Sequence, residues 1–214
     1  MSDPRQSPSS RPGGPIGAIL AGGRGARIGG AKATVQLHGE PLISYPLRAL
    51  RGALGEVVVI AKPDTQLPSL PGVTVWIEPV APQHPLVGIT HAIALAEGRP
   101  VVVCAVDLPL VSSEVVRALA EADPGGAPAV IATSGGRMQP LLGCYQPTVP
   151  ALLGAAALGG AVPVRQAIGS LHPRLLEVDY PEALFNVNTP DDLLQAAAML
   201  DRRRAEGVQP NVKS

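Results

Sequence analysis

Aromatic side chains make up only 2% of this 214-residue chain: one Trp, three Tyr and one Phe. So sparse a set provides no row of stacking surfaces for single-stranded nucleic acid. Excess charge of either sign is lacking too. Lys and Arg number 17 against 17 Asp and Glu, a formal net charge of zero, which argues against the basic face that a nucleic-acid backbone demands. No apolar run approaches the roughly 18 residues that cross a bilayer. Residues 1–14, rich in Ser, Pro, Arg and Gly, hold no apolar signal core. The expectation is a cytoplasmic protein without nucleic-acid or membrane partners, to which small anionic substrates remain open.

Cysteine is scarce as well. Cys104 and Cys144 each sit inside an apolar run and read as small buried thiols rather than a bridge or a metal pair. His38, His84, His91 and His172 are scattered, with no i, i+4 pairing and no Cys or carboxylate at zinc spacing, which argues against a transition-metal site. Lysine occurs only at positions 32, 62 and 213.

Glycine, by contrast, is plentiful, and much of it is concentrated in one place. Residues 16–20 form an apolar strand that runs into a loop containing Gly22, Gly23, Gly25, Gly29 and Gly30 together with Arg27 and Lys32. Glycines let consecutive backbone amides approach an anion without a Cβ in the way. A guanidinium grips phosphate as a bidentate fork and an ammonium neutralises it as a mobile point charge. The loop therefore reads as a nucleotide-phosphate cradle, with Arg27 and Lys32 on the phosphates. A plain glycine-rich surface turn is the bland alternative. Two familiar phosphate loops are excluded. Lys32 is followed by Ala33 where a Walker loop needs Ser or Thr, and Gly23-Arg24-Gly25 is followed three residues later by Ile28 rather than the third glycine of a dinucleotide fingerprint.

Residues 1–14 and 205–214 lack the apolar periodicity that would tie them down, so a disordered leader and a polar tail are expected around one working domain at 15–204. Within it, strands at 16–20, 57–61, 73–77 and 101–106 alternate with helical patterns at 42–54, 86–96 and 112–122. Strands follow at 129–133, 141–145 and 175–178, and helices at 149–158, 164–168 and 190–204. The alternation is a βαβ rhythm around a parallel sheet. The apolar runs at 57–60 and 101–106 do not alternate with polar residues, as expected of central strands covered on both faces.

In such a sheet ligands lie beyond the carboxyl ends of the strands. Asp107 follows the run 101–106 and precedes Leu108-Pro109, which suits a carboxylate for a hard divalent cation such as Mg²⁺. The competing reading is a turn-organising Asp. Asn186 and Asn188 are two apart on an extended segment, so both amides face one side. Either they touch substrate or a metal-bound water, or Asn188 serves only to start the closing helix. That start carries a signal of its own, with Thr189 as N-cap, Pro190 in the first helical position and Asp192 three residues after the cap. Pro85-Leu86-Val87-Gly88, leading into a helix, would offer backbone amides to an anion or a base edge. Arg137, before Gln139-Pro140, either carries a cation to a second substrate or is a solvated loop residue.

Taken together, Leu20-Ala21-Gly22-Gly23 with Arg27, Gly29 and Lys32, then Pro85-Leu86-Val87-Gly88, Asp107-Leu108-Pro109, Gln139-Pro140 and Phe185-Asn186-Val187-Asn188-Thr189-Pro190 resemble the molybdenum cofactor guanylyltransferase family over nearly all of 15–200. The resemblance implies a single-domain, Rossmann-like, three-layer α/β/α nucleotidyltransferase fold with a mostly parallel central sheet. It implies transfer of GMP from Mg-GTP to molybdenum-bound molybdopterin, giving the guanine dinucleotide cofactor and pyrophosphate. It implies transient contact with cofactor-assembly proteins or apo-molybdoenzymes. By position, Leu20, Ala21, Gly22 and Gly23 would hold the nucleotide, Lys32 and Arg27 would stabilise the triphosphate and the leaving pyrophosphate, Asp107 would hold Mg²⁺, Gly88 would join the nucleotide site, and Asn186 and Asn188 would contact the pterin. The chain departs from the family pattern at Ala31, where Asp is common, and at Glu78-Pro79, the only acidic residue ahead of the Pro-Leu-x-Gly segment. Glu78 is then the candidate guanine reader, because a carboxylate accepts from the N1–H and 2-amino edge that cytosine lacks. The rival functions are a cytidylyltransferase for the same pterin, a transferase for another phosphorylated small molecule, and a nucleotide-sensing or partner-binding protein without turnover.

Overall fold

The computed structural model describes residues 13–22 and 32–206. The expected leader at 1–14 and tail at 205–214 fall almost wholly outside that range, as do Gly23, Gly25, Arg27, Gly29, Gly30 and Ala31. In chain order the elements are β1 (Ile16–Leu20), a 3-10 turn at Lys32–Thr34, β2 (Gln36–Leu37), β3 (Glu40–Pro41), α1 (Ser44–Arg51), β4 (Val57–Ala61), β5 (Thr74–Ile77), α2 (Pro85–Leu95) and β6 (Val101–Ala105). There follow α3 (Ser113–Glu121), β7 (Ala129–Ser134), β8 (Arg137–Tyr145), α4 (Val149–Leu152), α5 (Ala155–Leu158), α6 (Val164–Gly169), β9 (Arg174–Glu177), a 3-10 turn at Pro181–Leu184 and α7 (Pro190–Glu206).

Seven strands form one sheet in the order β5-β4-β1-β6-β8-β7-β9. Only β8 runs against the rest, pairing antiparallel with β6 and β7. The sheet is therefore mostly parallel, and β6 lies at its centre. Side chains of one strand alternate between two separate cores, because successive Cβ atoms point to opposite faces. Val59, Ala61, Val102 and Cys104 pack with Leu47 and Leu50 of α1 and Val115, Val116 and Leu119 of α3. Val58, Ile60, Val101 and Val103 pack with Leu86, Ile89 and Ile93 of α2 and with Ala167 and Ile168 of α6. Helices cover both faces, which is why these strands read as unbroken apolar runs and why the fold has three layers. Gly17 matters to one of those contacts: a Cβ there would come within 2.8 Å of Leu50 Cδ2, so α1 seats on β1 only over a glycine.

A third, smaller core joins the β2–β3 ribbon to the C-terminal helix through Leu37, Leu42, Tyr45, Val187 and Ala196. Arg203 of α7 stacks 4.1 Å over the Tyr180 ring and donates to the Leu110 carbonyl at 2.7 Å. The helix is thus pinned beside the loop that leaves β6.

Three expectations need correction. The helix expected over 149–158 is two short ones, α4 and α5, because Leu153 and Gly154 turn extended between them. The strand expected at 141–145 begins at Arg137, so Gln139-Pro140 lie within β8 rather than before it. Gly135 and Gly136, at φ +54° and +75°, close the β7–β8 hairpin tightly enough for Ser134 to pair with Arg137. The β7–β8 register then shifts between Ile131 and Thr133, opposite the stretch where Pro140 has no N–H to give. The helix with Pro85-Leu86-Val87-Gly88 begins at Pro85, so these residues are its first turn rather than a lead-in.

Candidate functional site

The carboxyl ends of β1, β4, β5 and β6 open into a cleft of about 260 Å³, lined among others by Leu20, Gly22, Lys32, Lys62, Glu78, Gly88 and Asp107. Sheet pairing delivers these residues. Past the last paired positions the ladder continues for one more step, with the Ala21 N–H donating to Ile60 O and the Glu78 N–H to Ala61 O, both at 2.9 Å. Asp107 is placed in the same way on the other side of β1, where Val106 N–H donates to Leu20 O at 3.2 Å.

Lys32 forms the hub of the first half. Its ammonium donates to Asp107 Oδ2 at 2.7 Å and to Asn188 Oδ1 at 2.6 Å, both from a part-buried position. The second carboxylate oxygen, Asp107 Oδ1, is buried and has no hydrogen-bond partner among the described residues. A buried carboxylate oxygen without a donor is costly, and it fits a cation. Among the described residues no cluster of three or more His, Cys, Asp and Glu side chains is poised to hold a metal. A cation at Asp107 would accordingly draw the rest of its oxygens from water and ligand, as Mg²⁺ does with phosphates.

Glu78 forms the second half. It is only 6% exposed, and its carboxylate lies against two glycines. A Cβ on Gly22 would meet Glu78 Oε1 at 2.4 Å, and one on Gly88 would meet Oε2 at 2.9 Å. Those positions must be bare for the carboxylate to occupy the cleft wall. Gly88 belongs to the first turn of α2, whose N-terminus is capped by His84: its Nδ1 accepts from the Leu86 N–H at 3.4 Å, with Pro85 in the first turn.

The structure brings together Leu20, Gly22, Lys32, Glu78, Gly88, Asp107 and Asn188. It turns the Ala21 side chain away, into the core, leaving that residue only its backbone for the cleft. Gly23 and Arg27 lie outside the described residues. The two asparagines part company: Asn188 joins Lys32, while Asn186 accepts from Gln139 Nε2 at 3.0 Å and lines a second cavity of about 530 Å³ with Arg137, Met138, Arg165 and Phe185. Both readings of Asn188 hold, on different atoms. Its side chain reaches Lys32, and its backbone N–H, like that of Thr189, donates to Asp192 Oδ2 at 2.9 Å. Asp192 N–H returns a bond to Thr189 Oγ1 at 3.1 Å, completing a reciprocal cap. The Asn188 N–H, ahead of the Thr189 groups and the Lys32 ammonium, holds the Asp192 carboxyl below its usual 3.8.

Neither thiol takes part. Burial, and secondarily the Asp107 charge, pushes Cys104 far up, and burial alone raises Cys144 to about 12. The residue that sequence reasoning passed over is Lys62, with Gln83 and His84 beside it on the cleft wall. A signal for Lys62 was present. It follows the apolar run of β4 just as Asp107 follows that of β6, at the strand end where ligands bind.

Known proteins resemble this chain over most of its length. The model of the MobA-like NTP transferase domain matches residues 17–174. The molybdenum cofactor guanylyltransferase of Rhizobium johnstonii is 34% identical over 203 residues, covering 88% of this chain and 94% of that relative. The probable molybdenum cofactor guanylyltransferase of Thermococcus gammatolerans is 31% identical over 189 residues, covering 83% and 96%. Among solved structures, molybdopterin-guanine dinucleotide biosynthesis protein A from Archaeoglobus fulgidus aligns with a TM-score of 0.71 at 26% identity, over 87% of this chain and 99% of that one.

Proposed function

The chain belongs to the MobA-like NTP transferase family, and on that premise we propose that it transfers GMP from GTP to the phosphate of molybdenum-bound molybdopterin. An oxygen of the acceptor phosphate bonds to the α-phosphorus of GTP as the bond to the bridging oxygen breaks, and pyrophosphate leaves with the electron pair. The acceptor is already anionic near neutral pH, so no activated Ser, Cys or His is required, and positioning with charge neutralisation carries the acceleration.

The observation that carries this reading is the convergence of Lys32, Asp107 and Glu78 on one cleft beneath Gly22. Glu78 accepts from the N1–H and 2-amino group of guanine, with Gly22 and Gly88 leaving room for its carboxylate on the cleft wall. Lys32, held by Asp107 and Asn188, neutralises the triphosphate together with Arg27. Asp107 would hold the divalent cation, for which we propose Mg²⁺, and the chemistry it would supply is neutralisation of the phosphates. The second cavity suits the pterin. Gln139 and Asn186 supply amides for its ring edge, and Arg137 and Arg165 supply cations for its phosphate, while Asn188 stays with Lys32 on the nucleotide side. No helix among the described residues is long and apolar enough to cross a membrane. Work in the cytoplasm, handing product to apo-molybdoenzymes or other cofactor-assembly proteins through transient contacts, completes the proposal.

Calorimetric titration with GTP, CTP and ATP in the presence of Mg²⁺, repeated after EDTA, tests it without the unstable pterin. GTP should bind in preference to the others and lose affinity on chelation. A CTP preference would reassign the base pocket, and binding unaffected by EDTA would remove the cation from Asp107.

A further inference from the structure

Lys62 is a buried lysine, 7% exposed, on the wall of the nucleotide cleft, and no role considered above uses it. Its ammonium donates to the Pro79 carbonyl at 2.7 Å and stands 3.4 Å from Glu78 Oε1. Its backbone is fixed as well: Lys62 N–H donates to Thr65 Oγ1, and Thr65 N–H returns to Lys62 O, both at 3.0 Å. Glu78 and Pro79 are thus tied to the end of β4 by one side chain, which holds the peptide that follows β5 and faces its carboxylate at once.

We infer that Lys62 is a positioning residue for base selection: by pairing with Glu78 in the cleft wall it keeps that carboxylate in place as an acceptor-only group facing the base. The inference rests on Glu78 reading guanine. A buried carboxylate left without a partner carries an uncompensated charge, and among the described residues Lys62 is the cation within ion-pair distance of Glu78. Without the ammonium the carboxylate leaves the wall and stops presenting two acceptors to guanine's two donors. Lys62 therefore discriminates between bases without touching one.

The test compares K62M, K62R and E78Q with the unaltered protein, reading the affinity ratios of GTP to ATP and GTP to CTP by competition, with thermal unfolding as a check on the fold. K62M should lower the preference for GTP at least about tenfold, approaching the ratios of E78Q, while K62R retains them. K62M with unaltered ratios, where E78Q has lost its preference, would overturn the role of Lys62 and leave Glu78 as the reader. Unaltered ratios in E78Q would instead overturn the reading of Glu78 on which the inference stands. Should K62M fail to fold, K62R decides: loss of preference there, with charge retained, overturns the inference, and retention beside a changed E78Q sustains it.

Discussion

Among the described residues one carboxylate oxygen, Asp107 Oδ1, has no donor, which distinguishes the site from an ordinary buried ion pair. The other oxygen is taken by Lys32, whose ammonium keeps a second partner in Asn188. Asp107→Ala therefore removes the place for a cation without stranding the lysine. Transfer should fall by about 10²-fold or more, the scale on which a lost electrostatic contact to a developing charge is felt. The melting temperature should stay close to that of the unaltered protein. Pyrophosphate release and thermal unfolding measure the two, and an unchanged rate would take Asp107 out of the reaction. The residue was legible because an acidic side chain directly after an apolar strand of an α/β sheet stands where ligands bind. Lys62 obeys the same rule, but the glycine loop drew attention to the lysine inside it, and a lone lysine after a strand more often faces solvent.

The closing helix shows what an element owes to its ends. Thr189, Pro190 and Asp192 announced its start, and the reciprocal bonds between Thr189 and Asp192 occur as their spacing requires. Asp192→Ala should cost about 1 kcal/mol at neutral pH, the usual worth of such a cap. The acid dependence has a definite sign. Folding holds the Asp192 carboxyl below 3.8, so the folded state binds fewer protons there than the unfolded state. The contribution is complete above the unfolded value and is lost as pH falls through the folded one. Urea unfolding of both proteins should give a stability gap that is flat from neutrality to about pH 4 and narrows below it. A gap independent of pH would show that the alanine acts through helix propensity alone. Elsewhere the element boundaries moved for local reasons. Gly154 splits a helix that the apolar pattern joined, and the Gly135-Gly136 turn extends β8 back through Pro140.

At the scale of the whole molecule, two cores on opposite faces of one sheet remove both cysteines from chemistry. Cys104 belongs to the buried central strand and Cys144 to the antiparallel strand beside it. Burial raises both thiols, Cys144 to about 12, so thiolate is scarce near neutral pH. Iodoacetamide at pH 8 should leave both unlabelled in the native protein and modify both in urea, as counted by intact mass. Native labelling of Cys104 would mean that the sheet opens at its centre. The same layered burial brings the strand ends to one rim, where the cleft joins residues drawn from most of the chain's length.

Periodicity and composition by themselves determined the layers. A strand covered on both faces must be apolar throughout, a helix covered on one face must be so every third or fourth residue, and both marks are local. They determined as well the capped start of α7 and the carboxylate after β6, since each depends on neighbours within a few positions. Which side chains would meet was decided by the tertiary structure alone. Lys32 and Asn188 stand 156 positions apart and come together because the Val187 N–H donates to Asp107 O at 2.9 Å while the small core of Leu37, Tyr45 and Val187 seats the segment ahead of α7 on the β2–β3 ribbon. Glu78 faces Lys62 because β5 pairs in parallel with β4 in the register that sets Ile77 opposite Ala61. Burial is encoded residue by residue, whereas an ion pair between strands depends on strand order and register, which follow from the packing of the whole sheet.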